Sequence, residues 1–257
     1  RDKFHIKKYL SKDIELKDIT DDLCVFGLFG PKSRELIKTI SKDNFENDNF
    51  KFGTAKNITI EGTNIWAQRL SYVGELGYEL YVDFKDAKNI FELIIDKGKN
   101  FNLSNCGMHA MDIMRMESGF LHWGHDISPE ENQYQAGLSF TISKKKVVKF
   151  IGQQSLEKIK QEKTKSRFAM FTLKDSEPGK PLLLHDEPIY LDNEIIGRTT
   201  SGNYSFNYSK NLSYGYINNS FSNEELVSKN LFIEVEKQKY PAKILLKPLK
   251  ESNHKNI

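Results

Sequence analysis

Cysteine is nearly absent from this sequence. Its 257 residues include two cysteines, Cys24 and Cys106, which lie far apart and belong to no paired motif. Neither a disulfide framework nor a cysteine-based zinc site is therefore indicated. The scarcity of cysteine agrees with a reducing compartment, and we expect the cytoplasm.

Long apolar runs and a secretory signal are also missing. No segment approaches the roughly 20 apolar residues that a membrane-spanning helix needs. The first eight residues, RDKFHIKK, carry none of the features of a signal peptide. A membrane is therefore not an expected partner. Because the sequence also lacks an initiator methionine, we expect a processed, excised or truncated chain.

An excess of charge of one sign is the third absence. The 38 Lys and Arg residues are nearly balanced by 35 Asp and Glu residues, which leaves a net charge of +3. This balance gives no support to a nucleic-acid partner. The length permits a substantial core and favours two domains over one.

The first 155 residues or so predict a mixture of strands and helices. We expect a strand at Leu23–Phe29, a helix starting at Pro31, and a hairpin around Gly62 that leads into a return strand at 78–82. Two more helices follow, one capped by Asp86 and ending near Gly98, the other spanning 108–118. Antiparallel hairpins of this kind favour an α+β fold over a doubly wound parallel sheet.

After a charged connector at 158–167, the pattern changes to strands and turns. Residues 168–173 predict one strand, and two hairpins are expected around Asp192-Asn193 and after 231–236. Strands of this number and spacing are typical of a small antiparallel β-barrel or sandwich of about six strands.

The most informative motif is the segment 71–80, SYVGELGYEL. It places two carboxylates, Glu75 and Glu79, and two phenol rings, Tyr72 and Tyr78, around a turn that contains two glycines. In a strand, Glu79 faces the side opposite to Tyr78. Glu79 is therefore either an ordinary solvent-facing residue of a hairpin or a carboxylate directed at a flat ligand with several N–H donors.

Short motifs along the chain resemble those of one known family. They occur in the family's order, at 69–79, 106–119, 123–130, 135–140, 150–152, 187–189, 197–201 and 214–216. These segments resemble the folate-site motif, the central helix and the C-terminal barrel signatures of the glycine-cleavage T-protein (aminomethyltransferase) family. The Glu-Leu-Gly form of the first motif is most similar to the C-terminal folate-binding domains of dimethylglycine and sarcosine dehydrogenases.

The resemblance implies a fold and a ligand. It implies an α+β aminomethyltransferase-type folate-binding domain, partial at its N-terminus, over residues 1–158, and a small antiparallel β-barrel domain over 166–257. By motif position, Glu79 is the residue that accepts hydrogen bonds from the pyrimidine edge of the pterin, and Tyr72 lies along the folate. The other residues expected to line the tetrahydrofolate site are Leu76, Gly77 and Tyr78, through their backbone and side chains.

Two departures from the family pattern affect the expected site. T-proteins carry an arginine where this chain has Met111, which favours the dehydrogenase branch. Arg115 matches the later part of the helix motif, and we expect it to pair with a core carboxylate, with contact to the folate as the alternative. The family's catalytic aspartate belongs to a segment upstream of the motif. That role is not transferred to Asp18, Asp21 or Asp22, so the catalytic residue is unknown.

The resemblance implies one-carbon transfer from an oxidised methylamine to tetrahydrofolate, giving 5,10-methylene-tetrahydrofolate. The implied partners are folate and a flavin-dependent amine dehydrogenase domain, in the same chain or another. FAD is expected only in that domain, and the implied compartment in a eukaryote is the mitochondrial matrix. The isolated chain is expected to lack turnover.

Two other functions stay open, a stand-alone glycine-cleavage aminomethyltransferase and a non-catalytic folate-binding or iron–sulfur assembly scaffold. A metal site at His122 and His125 is not expected, because a glycine separates them and no carboxylate partner is evident. Lys144, Lys145 and Lys146 are expected to form a solvated face, or to attract the acidic tail of folate.

Overall fold

A computed structural model describes residues 1–143 and 148–251 of the chain. Lys144, Lys145 and Lys146, for which a solvated face was predicted, lie outside the described residues. The described residues form two compact units. The first unit comprises Arg1–Ser71 and Glu75–Asn105, and the second comprises Tyr72–Gly74 and residues 106–251. The sequence domains expected at 1–158 and 166–257 are a different division of the chain and stay a prediction.

The first unit combines three α-helices and a short 3-10 helix, Lys99–Phe101, with four strands. In chain order they are α1 (Asp2–Lys7), β1 (Leu23–Phe29), α2 (Ser33–Ile40), β2 (Ala55–Ile60), β3 (Thr63–Gln68), β4 (Gly77–Asp83) and α3 (Phe84–Gly98). The strands pair antiparallel in the order β1-β4-β3-β2. The hairpin around Gly62 and the return strand are thus confirmed.

One face of this sheet is buried and the other is open. Along β4, Tyr78, Leu80 and Val82 are fully buried, whereas Glu79 and Tyr81 are partly exposed. This alternation is the two-residue period of a strand with one face on a core. The core side chains come from the sheet, from α2 and α3, and from the segment between α2 and β2: Leu28, Leu36, Ile37, Ile40, Phe45, Phe50, Ile58, Ile60, Ile65, Ala67, Tyr78, Leu80, Val82, Ala87, Ile90 and Ile94.

Two helix starts differ from the sequence prediction. Helix α2 begins at Ser33, two residues after Pro31. Helix α3 begins at Phe84, so Asp86 lies in its first turn and is not its cap. The chain passes directly from β4 into α3, and the N–H of Phe84 donates to the carbonyl oxygen of Asp22 at 2.9 Å. Local sequence carries no sign of that distant acceptor.

The second unit contains three α-helices, a short 3-10 helix at Ser139–Thr141 and six strands among its described residues. In chain order they are α4 (Met108–Glu117), α5 (Gln153–Glu162), β5 (Ser166–Leu173), β6 (Pro188–Leu191), β7 (Glu194–Ser205), β8 (Lys210–Asn218), α6 (Asn223–Ser228), β9 (Leu231–Val235) and β10 (Gln238–Leu245). The predicted connector at 158–167 is therefore partly wrong, because α5 continues to Glu162 before β5 begins.

The six strands close into an antiparallel barrel in the order β10-β5-β8-β7-β6-β9. Its interior is filled by apolar side chains, including the fully buried Phe171, Ile189 and Ile233. The α+β class and the small C-terminal barrel predicted from the sequence are confirmed. Among the residues described, no helix has the length and apolar character needed to cross a membrane.

Candidate functional site

Glu79 lies on the open face of the first unit's sheet. It occupies the centre of β4, opposite Gly27 of β1 and Gln68 of β3. The hydroxyl of Tyr81 donates a hydrogen bond of 3.0 Å to its Oε2 atom. Burial and this hydrogen bond both raise the pKa of the Tyr81 phenol, so Tyr81 stays a donor at neutral pH. The Glu79 carboxylate therefore accepts a hydrogen bond from Tyr81 and is partly exposed.

Aromatic rings flank Glu79 on the same face. Tyr81 contacts Trp66, with ring centroids 4.8 Å apart. On the other side, the ring of Phe29 lies over Gly27 and Gly77, because a Cβ atom built at either glycine would fall within 2.4 Å of it. A carboxylate between aromatic surfaces offers a flat ligand both stacking area and a charged acceptor. The sequence motif pointed to Glu79 but not to Phe29 or Trp66.

Gly77 is required by packing against Phe29. A Cβ atom at Gly77 would lie 2.1 Å from the Phe29 ring and 3.2 Å from the carbonyl oxygen of Leu70. We expect Gly77→Ala to destabilise the first unit by about 1–3 kcal/mol through overpacking. Urea unfolding should show this loss, and Phe29→Leu in the same chain should recover part of it. Additive losses in that double-mutant cycle would contradict the assigned contact.

Leu76 and Gly74 also have local structural roles. The buried Leu76 presents its carbonyl oxygen to the N–H of Gly30 at 2.8 Å and to the hydroxyl of Ser33 at 3.2 Å. Gly74 has a φ of +67°, in the left-handed region that glycine adopts without strain. A Cβ atom at Gly74 would also lie 2.1 Å from the Ser118 hydroxyl oxygen, so both glycines of the motif allow a close side-chain approach and Gly74 allows the left-handed backbone as well.

Tyr78 faces away from Glu79. Its ring is fully buried against Phe45 and Phe50, with centroids 5.5 and 5.6 Å away. The expectation that the Tyr78 side chain lines the pocket of Glu79 is corrected here, because adjacent residues of a strand point to opposite faces. Contact of its backbone with a ligand stays a prediction.

Tyr72 belongs to the second compact unit. Its hydroxyl donates to the carbonyl oxygen of Leu121 at 3.0 Å, and its ring is parallel to that of Phe120, 6.2 Å away. Burial raises the pKa of the phenol. Tyr72 and Glu79 fall in different units, and their sharing of one ligand stays a prediction.

Arg115 is the centre of a buried polar network in the second unit. The side chain is 1% exposed. It donates to Asp126 at 2.5 Å, to Asp112 from Nε at 2.9 Å and to the hydroxyl of Ser201 at 2.7 Å. Burial alone would lower the pKa of the guanidinium, but the two carboxylates raise it above its ordinary value. The predicted pairing of Arg115 with a core carboxylate is confirmed.

Asp126 is the residue of this network that sequence reasoning missed. Its carboxylate is buried and accepts hydrogen bonds from Arg115, the His122 amide, Thr200 and Ser201. The network thus ties α4 to the loop after it and to β7. Every guanidinium nitrogen of Arg115 already donates within the unit. Contact between Arg115 and folate therefore stays a prediction, one that these partners do not favour.

Four histidines, His109, His122, His125 and His185, line neighbouring cavities of the second unit. The rings of His122 and His125 are 4.6 Å apart, and those of His125 and His185 are 6.3 Å apart. The cavities that they line measure about 260 and 440 Å³. Across the described part of the chain, no group of three or more His, Cys, Asp or Glu side chains is arranged to hold a metal ion.

The chain belongs to the glycine cleavage T-protein family. Residues 1–146 match the family model of the GCVT N-terminal domain, and residues 167–250 match that of the glycine cleavage T-protein C-terminal barrel domain. The second match coincides with the strands of the closed barrel.

Relatives of two kinds are similar to this chain. Human mitochondrial dimethylglycine dehydrogenase is 33% identical over 239 residues, which cover 92% of this chain and 27% of that protein. The aminomethyltransferase of Symbiobacterium thermophilum is 30% identical over 206 residues, which cover 80% of this chain and 54% of that protein. The chain thus spans about a quarter of the dehydrogenase and about half of the transferase.

A solved structure has the same fold. The aminomethyltransferase of the Bartonella henselae glycine cleavage system superposes with a TM-score of 0.76 at 18% identity, covering 90% of this chain and 60% of that one. The expected aminomethyltransferase fold is therefore confirmed.

Proposed function

We propose that this chain is a tetrahydrofolate-binding module for one-carbon transfer, in which an oxidised methylamine of the dimethylglycine or sarcosine type supplies the carbon and 5,10-methylene-tetrahydrofolate is the product. The observation that carries the proposal is the Glu79 carboxylate on an open sheet face between Phe29 and the Tyr81–Trp66 pair. Family membership, together with relatives that include dimethylglycine and sarcosine dehydrogenases, supports it.

The residues around Glu79 fit the pyrimidine edge of a pterin. That edge carries a ring N–H and an amino group side by side, which match the two oxygens of a carboxylate. Tyr81 donates to one of these oxygens and so limits the rotation of the side chain. When bound, tetrahydrofolate would supply the nucleophilic nitrogen atoms that accept the one-carbon unit. The contribution of the protein is orientation, which reduces the entropy cost of bringing the two reactants together.

Within this proposal the dehydrogenase type is preferred, because Met111 occupies the position at which T-proteins carry an arginine. A flavin-dependent amine dehydrogenase domain, in the same chain or another, would then produce the one-carbon donor. The mitochondrial relatives support a matrix location in a eukaryote.

Glu79→Gln tests the proposal. We expect the affinity for 5-formyltetrahydrofolate, measured by isothermal titration calorimetry, to fall by about 1.5–3 kcal/mol, or roughly 10- to 150-fold. The reason is that an amide N–H would replace an acceptor oxygen opposite a ligand donor. Glu75→Gln is the matched control, since it alters the other glutamate of the motif. Its affinity should stay within about threefold of the wild-type value. Equal affinities for wild type and Glu79→Gln would refute the assignment.

A further inference from the structure

A groove of about 530 Å³ lies on the open sheet face of the first unit and is lined in part by Tyr81, the hydrogen-bond partner of Glu79. Its floor is formed by side chains of the open sheet face, Val25, Trp66 and Tyr81. Its walls come from residues 3–20, which contribute the apolar side chains Ile6, Leu16 and Ile19. The family motif accounts for Glu79 but not for Trp66 or this groove.

The groove is connected to Glu79 through the sheet register. Tyr81 pairs directly with Val25 on one side and Trp66 on the other, while its hydroxyl contacts Glu79. Glu79 and Trp66 are diagonal neighbours on adjacent strands, a relationship that separates side chains by about 7–8 Å. A fused two-ring heterocycle is of about that length.

We propose that Trp66 is a ligand-binding residue, and that the pterin ring anchored at Glu79 lies in this groove across Tyr81 with its far end against the Trp66 indole. The proposal rests on the proposed function and assigns the position of the ring relative to the sheet. Trp66 is 44% exposed, so one surface of the indole is available for stacking.

The walls of the groove carry both charged and apolar side chains. Lys3 lies on the groove but is paired with Asp18 at 2.7 Å, so its charge is already compensated. The other wall residues are the apolar Ile6, Leu16, Ile19 and Leu23, together with Thr20 and Lys17. A groove with an aromatic floor and aliphatic wall side chains, next to a carboxylate that is hydrogen-bonded to Tyr81, has the composition of a site for a flat heterocycle.

The two tryptophans of the chain allow a direct optical test. Trp123 belongs to the second unit and is 62% exposed, and it does not line the groove. In Trp123→Phe, which retains only Trp66, titration with 5-formyltetrahydrofolate should quench the emission by half or more after correction for absorbance. In Trp66→Phe, which retains only Trp123, the quenching should be several-fold smaller.

Affinity provides the second measurement. Trp66→Ala should weaken binding of 5-formyltetrahydrofolate roughly tenfold in calorimetry, Trp66→Phe should weaken it less, and Trp123→Ala should leave it unchanged. Circular dichroism would establish that each variant is folded. If wild type and Trp66→Ala bind equally well and Trp66 emission is unchanged, the groove assignment is overturned while the Glu79 assignment stands. Absence of binding to the wild-type protein would overturn both.

Discussion

Replacing Arg115 by methionine is expected to destabilise the second unit by about 3–5 kcal/mol. Removing one partner of a buried ion pair leaves the other charge uncompensated in a medium that solvates it poorly. Here the residue left behind is Asp126, whose side chain is 0% exposed. The methionine would fill much of the arginine volume, so the loss reflects charge and hydrogen bonding more than a cavity.

The matched control for Arg115→Met is Arg198→Met. Arg198 also pairs with an aspartate, Asp186, but both side chains are more than half exposed. Exposed pairs contribute about 0–1 kcal/mol, so this variant should unfold near the wild-type denaturant concentration. Urea unfolding monitored through Trp123, in a Trp66→Phe background, would compare the two variants in the unit to which they belong. Equal losses would show that the Arg115 network is no stronger than a surface pair.

Replacing Tyr78 by alanine is expected to destabilise the first unit by about 3–5 kcal/mol, the usual cost of deleting a fully buried aromatic ring. Tyr78→Phe, in contrast, should not destabilise the first unit. The phenol oxygen is buried without a hydrogen-bond partner among the described residues. Its removal should therefore leave stability unchanged or raise it by about 1 kcal/mol, because an unpaired buried hydroxyl is costly.

These two variants also separate a core role from a ligand role for Tyr78. Unfolding monitored through Trp66, in a Trp123→Phe background, gives the stability of the first unit. Calorimetry with 5-formyltetrahydrofolate gives the affinity. The affinity of Tyr78→Phe should stay within about threefold of the wild-type value. A large loss of affinity with normal stability would place the Tyr78 hydroxyl at the ligand and contradict its assignment to the core.

Sequence reasoning predicted the side of the sheet on which Glu79 lies. The two-residue period of a strand is a local property, and the apolar character of Tyr78, Leu80 and Val82 determines which face is buried. The same period then requires Glu79 and Tyr81 to face outward, as they do. It also places Tyr78 in the core, although the family resemblance had suggested a ligand contact for its side chain.

Contacts between distant residues could not be predicted in this way. Nothing in the sequence around Asp126 marks it as the partner of Arg115, because the intervening turn determines their approach. Phe29 and Trp66 similarly join the surroundings of Glu79 only through the pairing of β1 and β3 with β4. Short motifs thus identify the residue that anchors a ligand, whereas sheet topology determines what surrounds it.

The closing contact of the barrel has a consequence for biosynthesis. Strand β5 pairs with β10, so that Leu173 is opposite Ala242 near the end of the described chain. Hairpins such as β7–β8 and β9–β10 involve neighbouring segments and can form as soon as each is synthesised. The barrel, in contrast, cannot close until β10 has left the ribosome. The second unit therefore cannot complete its folding before β10 is synthesised, and the edges of β5 and β9 stay open to other chains until then.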